Sequence, residues 1–168
     1  MTTRRPHLLL LSSLLALTLS FAGCASTNVA ATPANVVVAA NANPELSTFS
    51  KLIQQAGLQD TLQGNGPVTV FAPSDEAFKA LPAATLDKLA KDPAQLKAVL
   101  GYHVVPGLVK SGDIDSSQPL TTSTGAKMNV AKAGDFVTVD DGLVTKADLP
   151  ASNGVIHVID RVLTPPKK

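Results

Sequence analysis

The spacing of hydrophobic residues changes once along this chain, and that change limits the folds that it can adopt. From residue 43 to residue 101, apolar side chains recur every three or four positions, as on one face of a helix. After residue 107 they occur in short runs separated by turn residues, which is typical of strands. A β-branched and aromatic run at 68–71 interrupts the helical part and predicts an early buried strand. Helices followed by strands, with one strand among the helices, favour an α+β domain.

Start and stop residues divide the helical part into separate helices. Asn43 and Pro44 predict a helix start, because Asn caps free N–H groups and Pro is tolerated at the first position. Gly57 predicts the end of this helix, and a further short turn is expected near residues 58–62. The two later helices are predicted at residues 83–90 and 93–101.

The second half of the chain contains two dipeptides that are typical of tight hairpin turns, Asp141-Gly142 and Asn153-Gly154. The run that follows the second dipeptide is apolar on both faces and predicts a central strand. The strands predicted in this half are residues 108–109, 128–131, 136–139, 143–146 and 155–159.

Residues 1–23 have the composition of a targeting segment. Arg4 and Arg5 precede an apolar stretch at 8–22, which is shorter than the roughly 20 residues of a transmembrane helix. The stretch ends in Phe-Ala-Gly-Cys24, which resembles the lipobox of bacterial lipoproteins, although Leu is usual where Phe21 stands. The alternative interpretation is an ordinary cleaved signal peptide followed by an incidental cysteine.

Cys24 is the single cysteine of the chain and therefore forms no internal disulfide. Lipidation explains the presence of this single cysteine. Residues 24–34 have the Ala, Ser, Thr and Asn composition of a flexible tether. We therefore predict an exported protein that is anchored by lipid on Cys24 to the bacterial cell envelope, in the periplasm or at the cell surface.

The charge balance excludes one class of partner. The chain carries 14 basic and 13 acidic side chains, and two of the basic ones, Arg4 and Arg5, lie in the targeting segment. A nucleic-acid-binding domain needs a clustered basic face. The nearly neutral domain therefore predicts no nucleic-acid partner.

Three segments resemble the signature boxes of the fasciclin domain family. They are residues 69–78 (TVFAPSDEAF), residues 102–107 (YHVVPG) and residues 151–163 (ASNGVIHVIDRVL). Their order and spacing also match the family, over roughly the span from residue 36 to residue 165. The residues of the first and third boxes that we assign to the structural motif are Thr69, Phe71, Pro73, Asp75, Asn153, Gly154 and His157.

The resemblance implies a fasciclin-like α+β fold over residues 35–166, in which a small twisted β-sandwich or wedge packs beside a helical layer. It also implies a role in adhesion or in binding extracellular partners, with no catalytic residues and no cofactor.

Within the first box, Ser74 and Asp75 stand where a helix cap and a first-turn acid belong. We expect Asp75 to support the fold by accepting hydrogen bonds from free N–H groups in a first helical turn. The Gly-x-Ser-x-Gly surroundings of a nucleophilic serine are missing around Ser74, so a catalytic role is disfavoured.

Two residue pairs are candidates for partner binding. In the family, the Tyr-His region and an Asp-Ile pair before the last box have been linked to receptor recognition by animal members. In this chain the Tyr-His pair is Tyr102-His103, and Asp148-Leu149 takes the place of the Asp-Ile pair. Tyr102 and His103 also have a structural interpretation, since a helix end favours a protonated histidine and a buried tyrosine ring needs a partner for its hydroxyl. For Asp148 and Leu149, a surface loop without a ligand is the favoured interpretation, and the sequence leaves open whether Leu149 enters the core or stands out as an anchor.

The histidines of the domain, His103 and His157, do not belong to any metal-binding motif, and no metal site is predicted. His157 lies inside an apolar strand, where a hydrogen bond to backbone is the expected role. The favoured function is a non-enzymatic binding or adhesion module with an unknown extracellular protein or glycan as partner. A secreted hydrolase acting on envelope polymers and a structural lipoprotein without a specific ligand are the alternatives.

Overall fold

The computed structural model describes residues 34–64 and 66–165, which form a helical layer and a mixed sheet. The predicted targeting segment, the predicted lipidation site Cys24 and almost all of the predicted tether lie outside the described residues. The helices are α1 (Val36–Ala42), a 3₁₀ turn (Pro44–Leu46), α2 (Ser47–Ala56), α3 (Gln59–Leu62), α4 (Asp75–Lys79), α5 (Ala83–Lys91) and α6 (Pro93–Tyr102). The strands are β1 (Val68–Pro73), β2 (Val104–Pro106), β3 (Gln118–Thr121), β4 (Lys127–Ala133), β5 (Phe136–Val139), β6 (Gly142–Ala151) and β7 (Gly154–Ile159).

The helix predicted to start at Asn43 is divided into the 3₁₀ turn and α2. Asn43 accepts a hydrogen bond from the backbone N–H of Glu45 at 3.1 Å, as expected of a cap. Gly57 ends α2 in the left-handed conformation with φ 64°, where glycine carries no steric penalty. Helix α1 was not predicted, because its Val-rich sequence has no helical propensity of its own. The burial of Val36 and Val37 stabilises it instead.

The seven strands form one sheet in the order β2-β1-β7-β6-β5-β4-β3. Strands β1 and β7 are parallel and all other neighbours are antiparallel. The prediction that β7 is central is confirmed, since it lies between β1 and β6. At the two ends of the sheet, Ser123 donates its N–H to the carbonyl of Val104 at 2.7 Å, so that the sheet curls into a nearly closed wedge.

Two of the strand predictions differ from the structure. Residues 108–109 lie in a loop, because Gly107 with φ 108° ends β2 and the chain then leaves the sheet. Strand β3 was not predicted, because it is an edge strand with a proline and none of its positions is fully buried, so its sequence carries only a weak hydrophobic signal.

Both hairpins occur at the predicted Asp-Gly and Asn-Gly dipeptides, but each turn begins one residue before its dipeptide. The turn residues are Asp140-Asp141 and Ser152-Asn153, and Gly142 and Gly154 are the first residues of their strands. Gly154 is required by the close approach of β1, since a Cβ atom there would lie 1.9 Å from the carbonyl oxygen of Val68.

The two faces of the sheet bury different cores. The side chains of Val70 and Ile156 point to the helical layer, where they pack with Phe49 and Leu96. On the opposite face, Phe71 packs with the core enclosed by the curl of the sheet. This second core contains Tyr102, Val105, Ile114, Met128, Val130, Val137, Val139, Ile159 and Leu163. Among the described residues, none of the helices has the length and apolar composition that a membrane span requires.

Candidate functional site

Asp148 lies in an irregular part of β6 and contacts a neighbouring loop. The register of β6 with β7 shifts between Lys146 and Leu149, and Asp148 has φ 57°, a left-handed conformation that is uncommon for a residue with a side chain. Its carboxylate accepts hydrogen bonds from the backbone N–H of Ser111, at 2.9 Å, and from the Ser111 hydroxyl. The carboxylate therefore binds residues 107–113, here called the 107–113 loop, to β6.

The charge of Asp148 is stabilised in this position. Partial burial disfavours the carboxylate, but the two hydrogen bonds from Ser111 and the nearby His157 and Lys110 outweigh it and hold the pKa of Asp148 below its usual value. We expected a carboxylate free to bind a partner, and the structure shows one that is exposed but already engaged by Ser111.

The structure also decides the placement of Leu149. Its side chain is half-buried and packs against the core on the helical side of the sheet. Leu149 therefore contributes to the packing of this strand and is not a fully exposed anchor, and its role in partner binding stays a prediction.

Further hydrogen bonds connect the 107–113 loop to strands of the sheet. The buried hydroxyl of Thr69 donates to the carbonyl of Gly107 at 2.7 Å and accepts the N–H of Val109 at 2.8 Å. The ammonium group of Lys132 donates to the carbonyl of Ser111 at 3.0 Å. The loop is therefore held by β1, β4 and β6 together.

His157 lies beneath the junction of the loop and β6. Its Nε2 donates to the carbonyl of Val109 at 2.9 Å, and its Nδ1 accepts the N–H of Asp148 at 3.3 Å. Its ring stacks on Phe71 with centroids 5.2 Å apart. Burial lowers the pKa of His157, although the Val109 carbonyl and the Asp148 carboxylate partly offset this effect. The ring is therefore a neutral connector between two backbone groups.

Above this junction lies an open groove of about 950 Å³, here called the Asp148 groove. Its lining combines apolar and polar side chains, and Leu108 is 48% exposed there. The residues that define it are Pro67, Leu108, Lys110, Asp148, Pro150 and Asn153. A concave surface with apolar contacts and a few fixed polar groups is the usual form of a binding site.

Asn153 connects the groove to the helical layer. Its side chain accepts the N–H of Val36 at 2.9 Å and donates to the carbonyl of Leu62 at 2.7 Å. The sequence predicted only a turn at this residue, and the structure shows that it holds the start of α1 and the end of α3.

His103 lies in the interior and does not reach a partner-accessible surface. It is 0% exposed, its Nδ1 lies 2.7 Å from the carbonyl of Val99, and its Nε2 accepts the N–H of Leu163 at 3.0 Å. Since Nε2 accepts, Nδ1 carries the proton. Burial lowers the pKa of His103 to about 4. The expectation of a protonated histidine at the end of α6 is therefore wrong, because desolvation outweighs the attraction of the helix end.

Tyr102 is 2% exposed and forms part of the core. Its hydroxyl donates to the carboxylate of Asp140 at 2.7 Å and lies 3.1 Å from the carbonyl of Lys127. Burial and the Asp140 carboxylate raise the pKa of Tyr102. Its edge borders a polar cleft that shares no lining residue with the Asp148 groove, so the two candidate pairs do not form one site.

The first box supports the fold in a way that the sequence did not predict in detail. Ser74 caps its own helix, α4, by accepting the N–H of Ala77 at 3.2 Å. The carboxylate of Asp75 lies instead at the start of α2, where it accepts the N–H of Thr48 at 2.8 Å and the hydroxyl of Ser47 at 2.6 Å. Burial opposes the charge of Asp75, but these hydrogen bonds hold its pKa below the usual value. Asp75 therefore caps a different helix from the one that it begins.

Sequence reasoning missed Leu108, Lys110 and Ser111 as parts of the site. The signal that could have located the loop is the turn composition of residues 110–113, in which the carboxylate of Asp113 accepts the N–H of Lys110 at 3.3 Å. In residues 34–64 and 66–165, the structure places no group of three or more His, Cys, Asp or Glu side chains together as a metal site would require.

Comparisons with known proteins agree with this geometry. The family model of the fasciclin domain matches residues 44–165. Protein sll1483 of Synechocystis sp. is 40% identical over 78% of this chain and 73% of that protein. The cell surface glycolipoprotein MPB83 of Mycobacterium bovis is 39% identical over 78% of this chain and 60% of that protein. The transforming growth factor-beta-induced protein ig-h3 of Sus scrofa is 43% identical over 68% of this chain, which corresponds to only 17% of that protein.

A solved structure shows the same fold. A FAS1 domain pair from the insect cell adhesion molecule fasciclin I matches with a TM-score of 0.59 and 22% identity, over 74% of this chain and 46% of that chain. The three boxes, the helical layer, the curled sheet and these matches lead to one conclusion: the chain belongs to the fasciclin domain family.

Proposed function

We propose that this protein is a non-enzymatic, extracytoplasmic binding module for cell adhesion, which binds an extracellular protein or glycan through the Asp148 groove. The observation that carries the proposal is the groove itself. Leu108 and Lys110 are exposed on a loop that hydrogen bonds hold to three strands, and Asp148 is exposed beside them on one of these strands, β6. A surface that is ordered before binding loses little conformational entropy when a partner docks.

The engagement of the histidines supports a binding module over a hydrolase. His103 and His157 each use both ring nitrogens on backbone groups. A general base must instead have a ring nitrogen within hydrogen-bond distance of a substrate proton. The relatives point in the same direction, since one is a cell surface glycolipoprotein and another an insect cell adhesion molecule.

The experiment is an attachment assay with cells that display the full chain, on surfaces coated with extracellular matrix protein or with envelope polysaccharide. Leu108→Ser combined with Lys110→Glu should abolish attachment, because both side chains are exposed in the groove and neither change removes a core contact. Phe136→Ser is the matched control, since Phe136 is 64% exposed and lies outside the groove. Attachment that survives the double variant, or that is lost equally in Phe136→Ser, would refute the groove.

Membrane attachment is the second part of the proposal, and it is based on the lipobox-like sequence at Cys24. Several acyl chains on a lipoprotein hold it firmly at a bilayer. Cys24→Ser should therefore move the protein from the membrane fraction to the soluble fraction, and the wild type should incorporate labelled fatty acid. A wild type without label, together with a variant that stays in the membrane fraction, would exclude the lipid anchor.

A further inference from the structure

His157 joins two segments of backbone that are otherwise held together by the Asp148 carboxylate. Its Nδ1 accepts the N–H of Asp148, and its Nε2 donates to the carbonyl of Val109. This pattern requires the neutral imidazole with its proton on Nε2, because a protonated ring has a hydrogen on both nitrogens. The connection between β6 and the 107–113 loop thus depends on the protonation state of one side chain.

The same residue, Asp148, forms the second connection to the loop. Its backbone N–H points to His157, while its carboxylate binds Ser111. Its positive φ of 57° is maintained by these contacts, since such a conformation is unfavourable for a residue with a side chain. A change at His157 therefore acts directly on the residue that holds the loop.

We propose that His157 is an acid-sensitive latch, whose protonation at Nδ1 opposes the N–H of Asp148 and releases the 107–113 loop from β6. Protonation places two hydrogen-bond donors face to face, at a site where the buried ring is stacked on Phe71. The peptide before Asp148 then rotates, the strained φ relaxes, and Ser111 loses its acceptor. The Asp148 groove changes shape while the core of the sheet stays intact.

Burial of the His157 ring and the charges around it together determine the pH at which this occurs. On β6, the Asp148 carboxylate favours a protonated ring. The loop contributes Lys110, which acts on Asp148, and β4 contributes Lys132, which donates to the carbonyl of Ser111. Strand β1 presents the uncharged Phe71 and Thr69. The closed loop thus keeps the ring neutral, and the open loop exposes it to water.

The direction of the pH dependence follows from this difference. In the open state the ring should titrate near the ordinary value of about 6.5, whereas in the closed state its pKa is lowered by burial. Between these two pKa values, each unit by which the pH falls raises the ratio of open to closed loop about tenfold. The latch is a property of the fold and holds or fails independently of the proposed adhesion function.

The test is amide hydrogen exchange of the full chain, corrected for intrinsic exchange rates, at a series of pH values from 7 to 4.5. We expect protection of the amides of Ser111 and Asp148 to fall about tenfold per pH unit below 6.5. Protection in the β4–β5 hairpin should stay constant. Long-range ¹H–¹⁵N spectra of the histidine rings should show His157 with its proton on Nε2 at pH 7, and its protonation should accompany the loss of protection.

Two variants separate His157 from other titrating groups. His157→Gln does not titrate, so its loop protection should be independent of pH, whether that protection is high or low. Asp148→Asn retains the backbone N–H but removes the charge that favours a protonated ring in the closed state, so the loss of protection should persist, begin at the same pH and continue to lower pH. Constant protection in the wild type, a neutral His157 ring while the loop opens, or an unchanged pH dependence in His157→Gln would each overturn the proposal.

Discussion

His103 and His157 are both buried, neutral and bound to backbone at both ring nitrogens, but they use opposite tautomers in two different regions. His103 carries its proton on Nδ1 and joins the last turn of α6 to Leu163 near the end of the domain. His157 carries its proton on Nε2 and joins β6 to the 107–113 loop. The first histidine connects segments of the core, and the second connects the core to a surface loop.

This difference determines what each histidine controls. The His103 ring and the side chains of Val99 and Leu163 are buried, so we expect their contacts to be lost mainly when the domain unfolds. The loop above His157 is bordered by solvent, and in our proposal it opens while the core stays folded. The same hydrogen-bond chemistry therefore supports global stability at one place and local order at the other.

The largest expected effect tests the global role of His103. His103→Ala leaves the Val99 carbonyl and the Leu163 N–H without partners and creates a cavity beside Phe49. We expect a loss of about 3–5 kcal/mol in the free energy of unfolding, measured by urea denaturation. If His157→Ala costs as much as His103→Ala, the distinction between a global and a local role is wrong.

An acid titration gives the next largest effect. The pKa of His103 is about 4 in the folded protein and about 6.5 when unfolded, so the unfolded state binds more protons between these values. Stability should be complete above pH 6.5 and fall by about 3 kcal/mol as the pH falls to 4. Urea melts at each pH measure this loss, which should be much smaller in His103→Gln, where His157 is the buried histidine that still titrates. A similar loss in that variant would assign the acid sensitivity to other groups.

The smallest expected effect concerns Asp75, whose carboxylate, like that of Asp148, accepts hydrogen bonds from a distant segment of the chain. Asp75→Ala removes the cap of α2 and should cost about 0.5–2 kcal/mol in urea melts. Asp75→Asn should cost less, because its amide oxygen can still accept the N–H of Thr48. Equal and negligible costs of the two changes would show that Asp75 does not stabilise α2, and that the helical layer is held by packing alone.

The folding class and most elements could be predicted because local chemistry specifies them. Gly57 and the Asn43-Pro44 pair mark helix ends through backbone geometry, and the β5 prediction agrees with Phe136–Val139. Helix α1 and strand β3 escaped prediction because burial and edge pairing, rather than propensity, stabilise them. The hairpin at Asn153-Gly154 begins one residue earlier than predicted because Gly154 serves the contact with Val68 and not the turn.

The sequence by itself determined the family, the order of helices and strands, and the positions of the residues that hold them. Only the tertiary structure decided the roles of Asp75, Leu149 and the two histidines. Each of these roles depends on a partner distant in sequence: Thr48 for Asp75, Leu163 for His103 and Val109 for His157. Local patterns report on neighbours within a few residues, whereas burial, and with it the charge state of a histidine, depends on which distant segments come to cover it.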